Sequence, residues 1–494
     1  MSALADLLPA RPRRSASLAL LVFAIVVSIA AFAQVGLARD GRLPAGMVGY
    51  GAGLTALSTI AYFVVARFTP YADPLLLPLA VFLNGIGLAM IYRLDLSTSR
   101  DVEIARARGE DVRGVWASTP NQLMWTFVAI ALFVVAIIVL RDVKAMQKYI
   151  YTLGALGLFL LALPGFLPSS ISGALGAKIW IRIGPISFQP GEFAKILLVI
   201  FFAGYLVNKR DALAQVGRRV GFIHVPRARD MLPIVIIWLI CLGVLVLEKD
   251  LGSALLFFGL FVSMLYIATQ RVSWVFIGVG LLLVGGFLAS LLPFLGHVRQ
   301  RIDTWLNPEP YFDGGCAVGG EVLKLDPAQC AARGGDYADS GQLLRGLFSF
   351  GEGSIVGRGL GQGEPWRTPL SFNDFIIASF GEELGLAGLM VILLVYALIV
   401  ERGFKTAVVA REPFLKLFAG GISFVLALQV FVIVGGVTRL IPLTGLTTPF
   451  LSQGGSSLLA NWILVAVLIR ISDLGRRPAP QSIQDEGLTQ VVRV

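Results

Sequence analysis

Long apolar runs alternate along this chain with short polar segments. Runs of roughly 17 to 25 apolar residues are long enough to cross a hydrocarbon layer as helices. Twelve such runs are predicted, near residues 17–37, 47–68, 75–92, 122–140, 149–167, 193–208, 232–248, 252–270, 273–295, 375–400, 413–437 and 451–470. The pattern predicts an all-α polytopic membrane protein, a bundle of about twelve transmembrane helices.

One polar segment is far longer than the others and covers residues 296–374. Its last residue, Asp374, stands directly before the apolar run that starts at Phe375. The pattern predicts a carboxylate at a membrane boundary, next to a helix that begins near Asp374. An ordinary helix N-cap is the alternative role for this residue, since Asp is a preferred N-cap.

Basic residues divide the short loops into two groups. Lys and Arg of short loops stay on the cytoplasmic side of a membrane. They concentrate in the N-terminus, 141–148, 209–230, 400–412 and the C-terminal tail. With twelve helices, both termini are predicted to be cytoplasmic. The segments predicted to be extracytoplasmic are then 93–121, 168–192, 296–374 and 438–450.

Composition supports a membrane protein and argues against nucleic-acid binding. The chain is 56% hydrophobic and 15% charged, with a mean hydropathy of +0.79. Its net charge of +10 is spread over loops that would face anionic lipid headgroups. The first run, with Ala31-Phe32-Ala33 near its end, also fits a cleavable signal peptide, but its length favours an uncleaved helix.

Three cysteines and two histidines limit the available chemistry. Cys316 and Cys330 flank a Gly-rich stretch of the long segment, and a disulfide between them would contribute about 3 kcal/mol. Two unpaired thiols are the alternative. Cys241 lies inside an apolar run and is predicted to pack there. His224 and His297 have no pattern of metal ligands around them, so catalysis must depend on carboxylates.

Charged residues at membrane depth are costly and therefore candidates for function. Glu192 and Lys195 lie three residues apart on one helix face, where they could line a charged cavity or only form a buried pair that orders helices. Asp250 lies in a short charged interruption, as a cavity group or an N-cap. Glu382 is predicted to point in the direction of Asp374 and Glu383 away from it, although Gly381 and Gly385 equally suit helix packing. The irregular stretch 439–457 could line a cavity or merely re-enter and pack.

Several motifs, taken in order, resemble the SEDS family of peptidoglycan glycosyltransferases and are closest to its RodA branch. They are Gly176-Ala177-Lys178-Ile179-Trp180, Gln189-Pro190-Gly191-Glu192-Phe193-Ala194-Lys195, Asp250-Leu251-Gly252, 299–305, 357–361, Asp374-Phe375-Ile376, Gly381-Glu382-Glu383-Leu384-Gly385 and 442–457. The resemblance implies a family core at 75–472, two additional helices within 1–74, and a disordered cytoplasmic tail at 473–494.

The resemblance also implies an activity, namely polymerisation of lipid II into glycan strands on the outer face of the bacterial plasma membrane, for cell elongation and shape. Asp374 matches the catalytic aspartate and would be the general base, with undecaprenyl diphosphate as leaving group. Candidate substrate-binding residues are Lys178, Trp180, Arg182, Gln189, Glu192, Lys195, Asp250, Arg299, Arg301 and Glu382. No cofactor is certain, although a divalent cation, Mg²⁺ or Mn²⁺, could share charge neutralisation with them. A class B penicillin-binding protein is the implied partner.

The chain departs from the family pattern in places. Ile179 stands where an arginine usually precedes Trp180, and Gly341 stands where a tyrosine is common. An insert at 313–336 carries both loop cysteines and has no assigned function. Three alternatives stay open: a lipid II flippase, a division-specific polymerase of the FtsW type, and a scaffold that only recruits the transpeptidase.

Overall fold

The structure is a computed structural model that describes residues 14–107, 118–174, 177–183, 186–209, 218–220, 223–225, 228–291, 296–309, 315–318, 321–324, 329, 336–338 and 341–478. Helices dominate this part of the chain. They are α1 (Arg14–Asp40), α2 (Met47–Phe68), α3 (Leu76–Ala107), α4 (Thr119–Val139), α5 (Ile150–Phe166), α6 (Pro190–Asn208), α7 (Ala228–Leu247), α8 (Leu251–Thr269), α9 (Ser273–Leu291), α10 (Gly296–Leu306), α11 (Gly341–Gly353), α12 (Ile376–Val409), α13 (Pro413–Val437) and α14 (Gly455–Arg476). Shorter helical segments lie at Val143–Tyr149, Ser169–Ser172 and Pro365–Arg367.

Short strands occur only in connections within the described residues. They are β1 (Gly173–Ala174), β2 (Ala177–Lys178), β3 (Ile181–Ile183), β4 (Ile186–Phe188), β5 (Arg218–Val220), β6 (Ile223–Val225), β7 (Gly315–Val318), β8 (Glu321–Lys324) and β9 (Asp336–Ala338). The first six form three antiparallel pairs in chain order, and the last three form a sheet of order β8-β7-β9. All-α architecture is therefore confirmed for the bundle.

Ten helices in the described part of the chain are long and apolar enough to cross a membrane. The predicted runs 232–248 and 273–295 also form helices, α7 and α9, with shorter apolar stretches at Val235–Val244 and Ser273–Ala289. All twelve runs thus coincide with helices. The chain is a multi-pass membrane protein, and the number twelve for its crossings stays a prediction.

Two helices extend beyond the apolar runs that predicted them, and polar contacts hold the extension of α14. α3 continues to Ala107, into the segment predicted to be a loop from residue 93. α14 starts at Gly455 rather than 451 and continues to Arg476, past the predicted core boundary at 472. There, Arg476 pairs with Asp73 at 2.8 Å, and Asp473 accepts the Tyr71 N–H at 2.9 Å. Residues 479–494 of the predicted tail lie outside the described residues.

The centre of the bundle is α14, whose most apolar stretch is 89% buried. Trp462 on this helix packs edge-to-face against Phe133 of α4, with ring centroids 5.2 Å apart. The Trp462 indole N–H also donates to the side-chain oxygen of Asn84 on α3 at 3.2 Å. A buried aromatic with a satisfied polar atom fixes helix packing better than apolar contact alone, so these contacts define the register of α3, α4 and α14.

Helices α1 and α2 form a pair, called here the N-terminal hairpin (residues 14–68), that packs on α3. Phe32 stacks on Tyr50 of α2 and on Tyr92 of α3, each at a centroid distance of 4.2 Å. The Tyr50 hydroxyl donates to the main-chain oxygen of Gly85 at 3.0 Å. A Cβ at Gly85 would lie 2.0 Å from the Ser28 hydroxyl oxygen, so α1 and α3 approach as closely as a glycine permits.

The connections gather at two ends of the bundle. At the first, called the Asp374 end, the turn 248–250 meets β2, α10 meets the 438–454 loop, and that loop meets residues 372–373. At the second, called the basic end, Lys144 pairs with Glu412 at 2.9 Å, and Arg411 donates to the main-chain oxygen of Arg477. Three of the segments predicted to be cytoplasmic, 141–148, 400–412 and the C-terminal tail, therefore lie together.

Residues 296–374 contain regular structure, although the hydropathy pattern shows only a polar segment. α11 lies against the start of α12, since a Cβ at Gly346 would be 2.5 Å from the Phe375 ring. Cys330 and the side chain of Cys316 lie outside the described residues, so the disulfide stays a prediction. Cys241 is a buried free thiol, as predicted.

Gly385 divides α12 into two halves, 376–384 and 386–409. Its φ of 67° and ψ of −174° are accessible to glycine alone. The chain after α11 pairs with the exposed backbone on both sides of this break: Arg358 N–H donates to Glu382 O at 3.0 Å, and Leu386 N–H donates to Ser354 O at 3.0 Å. The first half is buried, whereas the second presents Met390 and Leu394 on its surface, as a lipid-facing helix does.

Candidate active site

Asp374 lies in a turn, two residues before α12, whose first helical residue is Ile376. The prediction of a helix beginning near Asp374 is close, but Phe375 occupies the N-cap position, so the N-cap alternative for Asp374 is wrong. The Gln453 N–H holds this turn by donating to Phe372 O at 2.8 Å, and the Ser452 hydroxyl donates to Asn373 O. The loop before α14 therefore determines where Asp374 lies.

The side chain of Asp374 is 4% exposed, and its Oδ1 has no hydrogen-bond partner within the described part of the chain. Burial raises the pKa of this carboxyl to about 6, although its own N–H, the Arg301 charge and the Phe375 N–H each lower the pKa. A buried carboxylate oxygen without a donor is costly, because desolvation is not compensated. Such an oxygen is available to accept a proton from a substrate.

Arg301 places a positive charge beside this site. It lies on α10, and its guanidinium donates to Leu443 O at 2.6 Å. Burial lowers the pKa of Arg301, and the Asp250 and Asp374 carboxylates partly restore the pKa. Arg301 remains charged, since arginine starts far above neutral pH. The structure thus brings together Asp374, Arg301 and Asp250, three of the residues that the sequence indicated.

Asp250 caps α8, as its alternative role predicted: its Oδ1 accepts the Ser253 N–H at 2.9 Å. Burial raises the pKa of Asp250, and the hydrogen bonds from Ser253 lower the pKa. Beside it, burial and the Asp250 charge raise the pKa of Glu248 to about 8. Glu248 Oε1 accepts the Gly165 N–H at 3.2 Å, and Glu248 O accepts the Lys178 N–H at 3.1 Å. The turn 248–250 is therefore a junction between α5, β2 and α8.

Glu192 and Lys195 form the predicted pair, with 2.6 Å between Glu192 Oε2 and Lys195 Nζ. Lys195 Nζ also donates to Gln429 Oε1 at 2.9 Å, and Gln429 Nε2 donates to Thr447 O at 2.9 Å. This network links α6 to α13 and to the 438–454 loop. These contacts are those of a buried pair that orders helices and the loop that supports Asp374.

The remaining candidate residues differ in their burial and in their contacts. Gln189 is buried, and its N–H donates to the Ser456 hydroxyl at 2.9 Å. Lys178 and Trp180 are half-buried, and Arg182 is exposed. The Arg299 side chain is 63% exposed and lies 3.8 Å from Asp303. Arg301 and Arg299 therefore differ sharply in burial, although both were predicted equally as substrate-binding residues.

Glu382 and Glu383 point in different directions, but the expected direction of Glu382 towards Asp374 stays a prediction. Glu382 lines a cavity of about 500 Å³ that also contacts Arg345, Ser349, Glu364 and Trp366. Glu382 Oε1 accepts the Glu364 N–H at 2.5 Å. Glu383 instead pairs with Arg93 at 2.8 Å, both fully buried, and accepts the Gly361 N–H at 2.9 Å. Both carboxylates thus hold the loop 359–368, which makes them structural neighbours of the site.

The sequence analysis missed Arg93, Gln429 and Trp366. Arg93 was assigned to a loop because the apolar run ends at residue 92, although an arginine directly after such a run is a signal for a buried ion pair. Gln429 lies inside an apolar run and also gave a signal, since an amide there needs a partner. Trp366 gave none, because its contacts come from distant helices.

Comparison with known proteins identifies the family. A family model described as cell cycle protein, FtsW/RodA/SpoVE, matches residues 74–476. The chain belongs to the FtsW/RodA/SpoVE family. The match confirms the predicted SEDS resemblance, and it starts after the N-terminal hairpin.

Related proteins can be aligned with this chain over most of its length. A protein of Mycobacterium tuberculosis named "Peptidoglycan glycosyltransferase RodA" is 45% identical over 470 residues, 95% of this chain and 92% of the relative. The Mycobacterium leprae protein of the same name is 43% identical over 471 residues, again 95% and 92%. A solved structure described as "Structural coordination of polymerization and crosslinking by a peptidoglycan synthase complex" has a TM-score of 0.52 at 22% identity, over 86% of this chain and 96% of that one. That likeness establishes a shared fold.

Proposed function

We propose that this FtsW/RodA/SpoVE protein is a RodA-type peptidoglycan glycosyltransferase that polymerises lipid II, with Asp374 as its general base. The enzyme class is supported by the mycobacterial relatives, which carry that name at 43–45% identity. An FtsW-named relative from Geobacter metallireducens is 32% identical over 402 residues, 81% of this chain, so the division-type alternative is less favoured. The observation that carries the mechanism is the buried Asp374 carboxylate with its unpartnered Oδ1.

Polymerisation requires a base that removes the proton of a hydroxyl group on the acceptor sugar. Asp374 would accept the proton of an acceptor hydroxyl while the hydroxyl oxygen attacks the anomeric carbon of the donor glycan. The bond to undecaprenyl diphosphate then breaks, and the diphosphate takes the electron pair. A base is most effective when its pKa lies near the working pH, and a pKa of about 6 leaves Asp374 mostly ionised at neutral pH. Such a base contributes about 10²- to 10⁴-fold in rate.

Arg301 is the residue best placed to stabilise the departing diphosphate. Arginine contacts phosphate oxygens through parallel N–H groups, and Arg301 already interacts with Asp374. Lys178, Arg182, Lys195 and Arg299 stay proposed substrate-binding residues with weaker support. No group of three or more His, Cys, Asp or Glu side chains that could hold a metal occurs among the described residues. We assign no step to Mg²⁺ or Mn²⁺, and a cation that also uses the substrate diphosphate as a ligand stays a proposal.

The orientation of the protein in the membrane is inferred from the positions of its basic residues. The basic end, with Lys144, Arg411 and Arg477, would face the cytoplasm, because positive loops stay on that side. The Asp374 end would then face outwards, where lipid II is polymerised. A lipid II flippase would need access groups towards both faces. Asp250, Arg301 and Asp374 instead cluster at one end, which favours the polymerase.

A class B penicillin-binding protein is the proposed partner. Support comes from the shared fold with the chain from a peptidoglycan synthase complex that coordinates polymerization and crosslinking. A pure scaffold would recruit such a partner without using Asp374. Substitution of Asp374 therefore separates an enzyme from a scaffold.

The test is glycan-strand synthesis from purified lipid II by the reconstituted full-length protein, alone and with a transpeptidase. Asp374→Asn keeps the side-chain volume and should lower the rate by about 10²-fold or more. Asp303→Asn on α10 is the matched control, because its carboxylate is half exposed and pairs only weakly with Arg299. Full polymer yield from folded Asp374→Asn would refute the base assignment. Movement of fluorescent lipid II across vesicles without any polymer would favour the flippase.

A further inference from the structure

The N-terminal hairpin contacts the loop 359–368, which Glu382 and Glu383 hold in place. It lies outside the family match, which begins at residue 74. The M. tuberculosis alignment covers 470 of the 494 residues, so it leaves fewer residues uncovered than the 27 of α1. The hairpin is therefore shared, at least in part, with these relatives and added to the general family core.

The end of α1 contacts this loop through charge and through shape. The Arg39 guanidinium lies 5.2 Å from the centroid of the Trp366 ring, within the range of a cation–π contact. A Cβ at Gly361 would lie 2.7 Å from the Ala38 Cβ and 3.4 Å from the Val35 Cα. Gly361 has a φ of +91°, so this close approach depends on a glycine. The aromatic contacts of Phe32 fix the position of α1 from which Arg39 extends.

The loop 359–368 also forms hydrogen bonds with Arg93 and with two residues of α12 near Asp374. Gly361 and Glu364 donate their N–H groups to Glu383 and Glu382 respectively. Arg93 donates to Gly363 O at 2.6 Å and also lies 5.2 Å from the Trp366 centroid. Glu382 and Glu383 lie in the first half of α12, which begins two residues after Asp374. Trp366 thus connects the added hairpin with the half-helix that follows the base.

We propose that Arg39 is a positioning residue, which acts through Trp366 on the loop 359–368 and so on the first half of α12 and Asp374. It touches no reacting atom. The inference rests on the proposed glycosyltransferase function, and it assigns a role to a segment that the family core lacks. The guanidinium groups of Arg39 and Arg93 repel each other, and the electron-rich face of the Trp366 ring offsets that repulsion. Loss of Trp366 would remove the common partner of Arg39 and Arg93.

The experiment compares Arg39→Gln, Arg39→Lys and Trp366→Ala in the reconstituted full-length protein. Arg42→Gln is the matched control, because Arg42 is an exposed arginine three residues further along. Amide hydrogen exchange of Gly361 and Glu364 reports the loop without reference to activity. The kcat and KM for lipid II report the site.

Arg39→Gln and Trp366→Ala should each speed exchange of these amides by about three- to tenfold, the range expected for loss of one cation–π contact. They should lower kcat by a similar factor, with KM within about twofold, because the base is displaced while substrate groups remain. Arg39→Lys should recover most of both effects. The double variant Arg39→Gln/Trp366→Ala should be no worse than Trp366→Ala alone.

Unchanged exchange in Arg39→Gln would overturn the contact, and changed exchange with unchanged kcat would overturn the positioning role. Additive effects in the double variant would also overturn it, since the two residues would then act separately. If the unsubstituted protein failed to polymerise lipid II, the proposed function would fail first. Exchange would still decide whether Arg39 holds the loop, so the two failures are distinguishable.

Discussion

The guanidinium of Arg301 interacts with the buried carboxylate of Asp374 and simultaneously donates a hydrogen bond to Leu443 O. One residue of α10 thereby joins the turn before α12 to the loop after α13. The charge on Asp374 is stabilised by a group 73 positions earlier in the chain, so the base depends on the packing of α10. Arg301 lowers the pKa of Asp374, and burial raises the pKa more strongly, to about 6.

Removal of the Arg301 charge should move the pH profile. Because Arg301 lowers the pKa of Asp374, Arg301→Gln should raise that pKa and shift the acid limb of kcat/KM to higher pH. In the unsubstituted protein kcat/KM should be half-maximal near the pKa of about 6. Arg301→Lys should shift the limb less, since it keeps the charge. Arg299→Gln is the control, with a 63% exposed side chain, and an acid limb that is identical in all four proteins would contradict the pairing.

Asp374→Asn should stabilise the fold while it abolishes activity. The folded pKa is about 6 and the ordinary value is 3.8, so ionisation of Asp374 opposes folding above pH 6 and has no effect below pH 3.8. Removing this charge should raise the free energy of unfolding by about 1–3 kcal/mol at pH 7 and above. The gain should shrink as the pH falls towards 4. Thermal unfolding in detergent at pH 4.5 and 7.5 measures it, and equal shifts at both values would contradict a raised pKa.

Hydropathy was sufficient for the positions and order of the twelve apolar helices, because each apolar run was long, but it did not predict α10 and α11 in the polar segment 296–374. It could not distinguish central α14 from peripheral α1 and α2, since α1 is more apolar than α14 and α2 is about as apolar as α14, while burial depends on distant partners. Asp374, Glu192 and Lys195 were found because charge near an apolar run is rare. The contrast between Arg299 and Arg301 could not be found, because it depends on which face of α10 packs on the 438–454 loop.

Lys195→Met should destabilise the protein strongly. It would leave Glu192 buried in α6 without its partner at 2.6 Å, and an uncompensated buried charge costs about 3–5 kcal/mol. The double variant Glu192→Gln/Lys195→Met should recover much of that loss. Lys144→Met breaks an ion pair of similar length at the basic end, but its side chains are about half exposed and the expected cost is below about 1 kcal/mol. Equal losses for Lys195→Met and Lys144→Met would show that Glu192 is not desolvated.

Gly385→Ala should disrupt both the fold and the activity, because this glycine permits the break in α12. An alanine would adopt a backbone conformation that costs about 1–3 kcal/mol, and its Cβ would lie 2.3 Å from the Gly357 nitrogen. If the residue became helical instead, the bonds from Ser354 and Arg358 to the two halves would break. The loop 359–368 would then lose its position at Glu382 and Glu383.

Gly280→Ala is the matched control for this substitution. Gly280 lies inside α9, and nothing lies within 4 Å of the position its Cβ would take. Alanine there should be neutral or stabilise the helix by about 0.5–1 kcal/mol. For Gly280→Ala, the thermal stability should therefore stay the same or rise slightly and the rate of lipid II polymerisation should not change, while both fall for Gly385→Ala. Wild-type stability and activity in Gly385→Ala would mean that α12 can be continuous, and that the pairing of the loop with its backbone is not required for the position of Asp374.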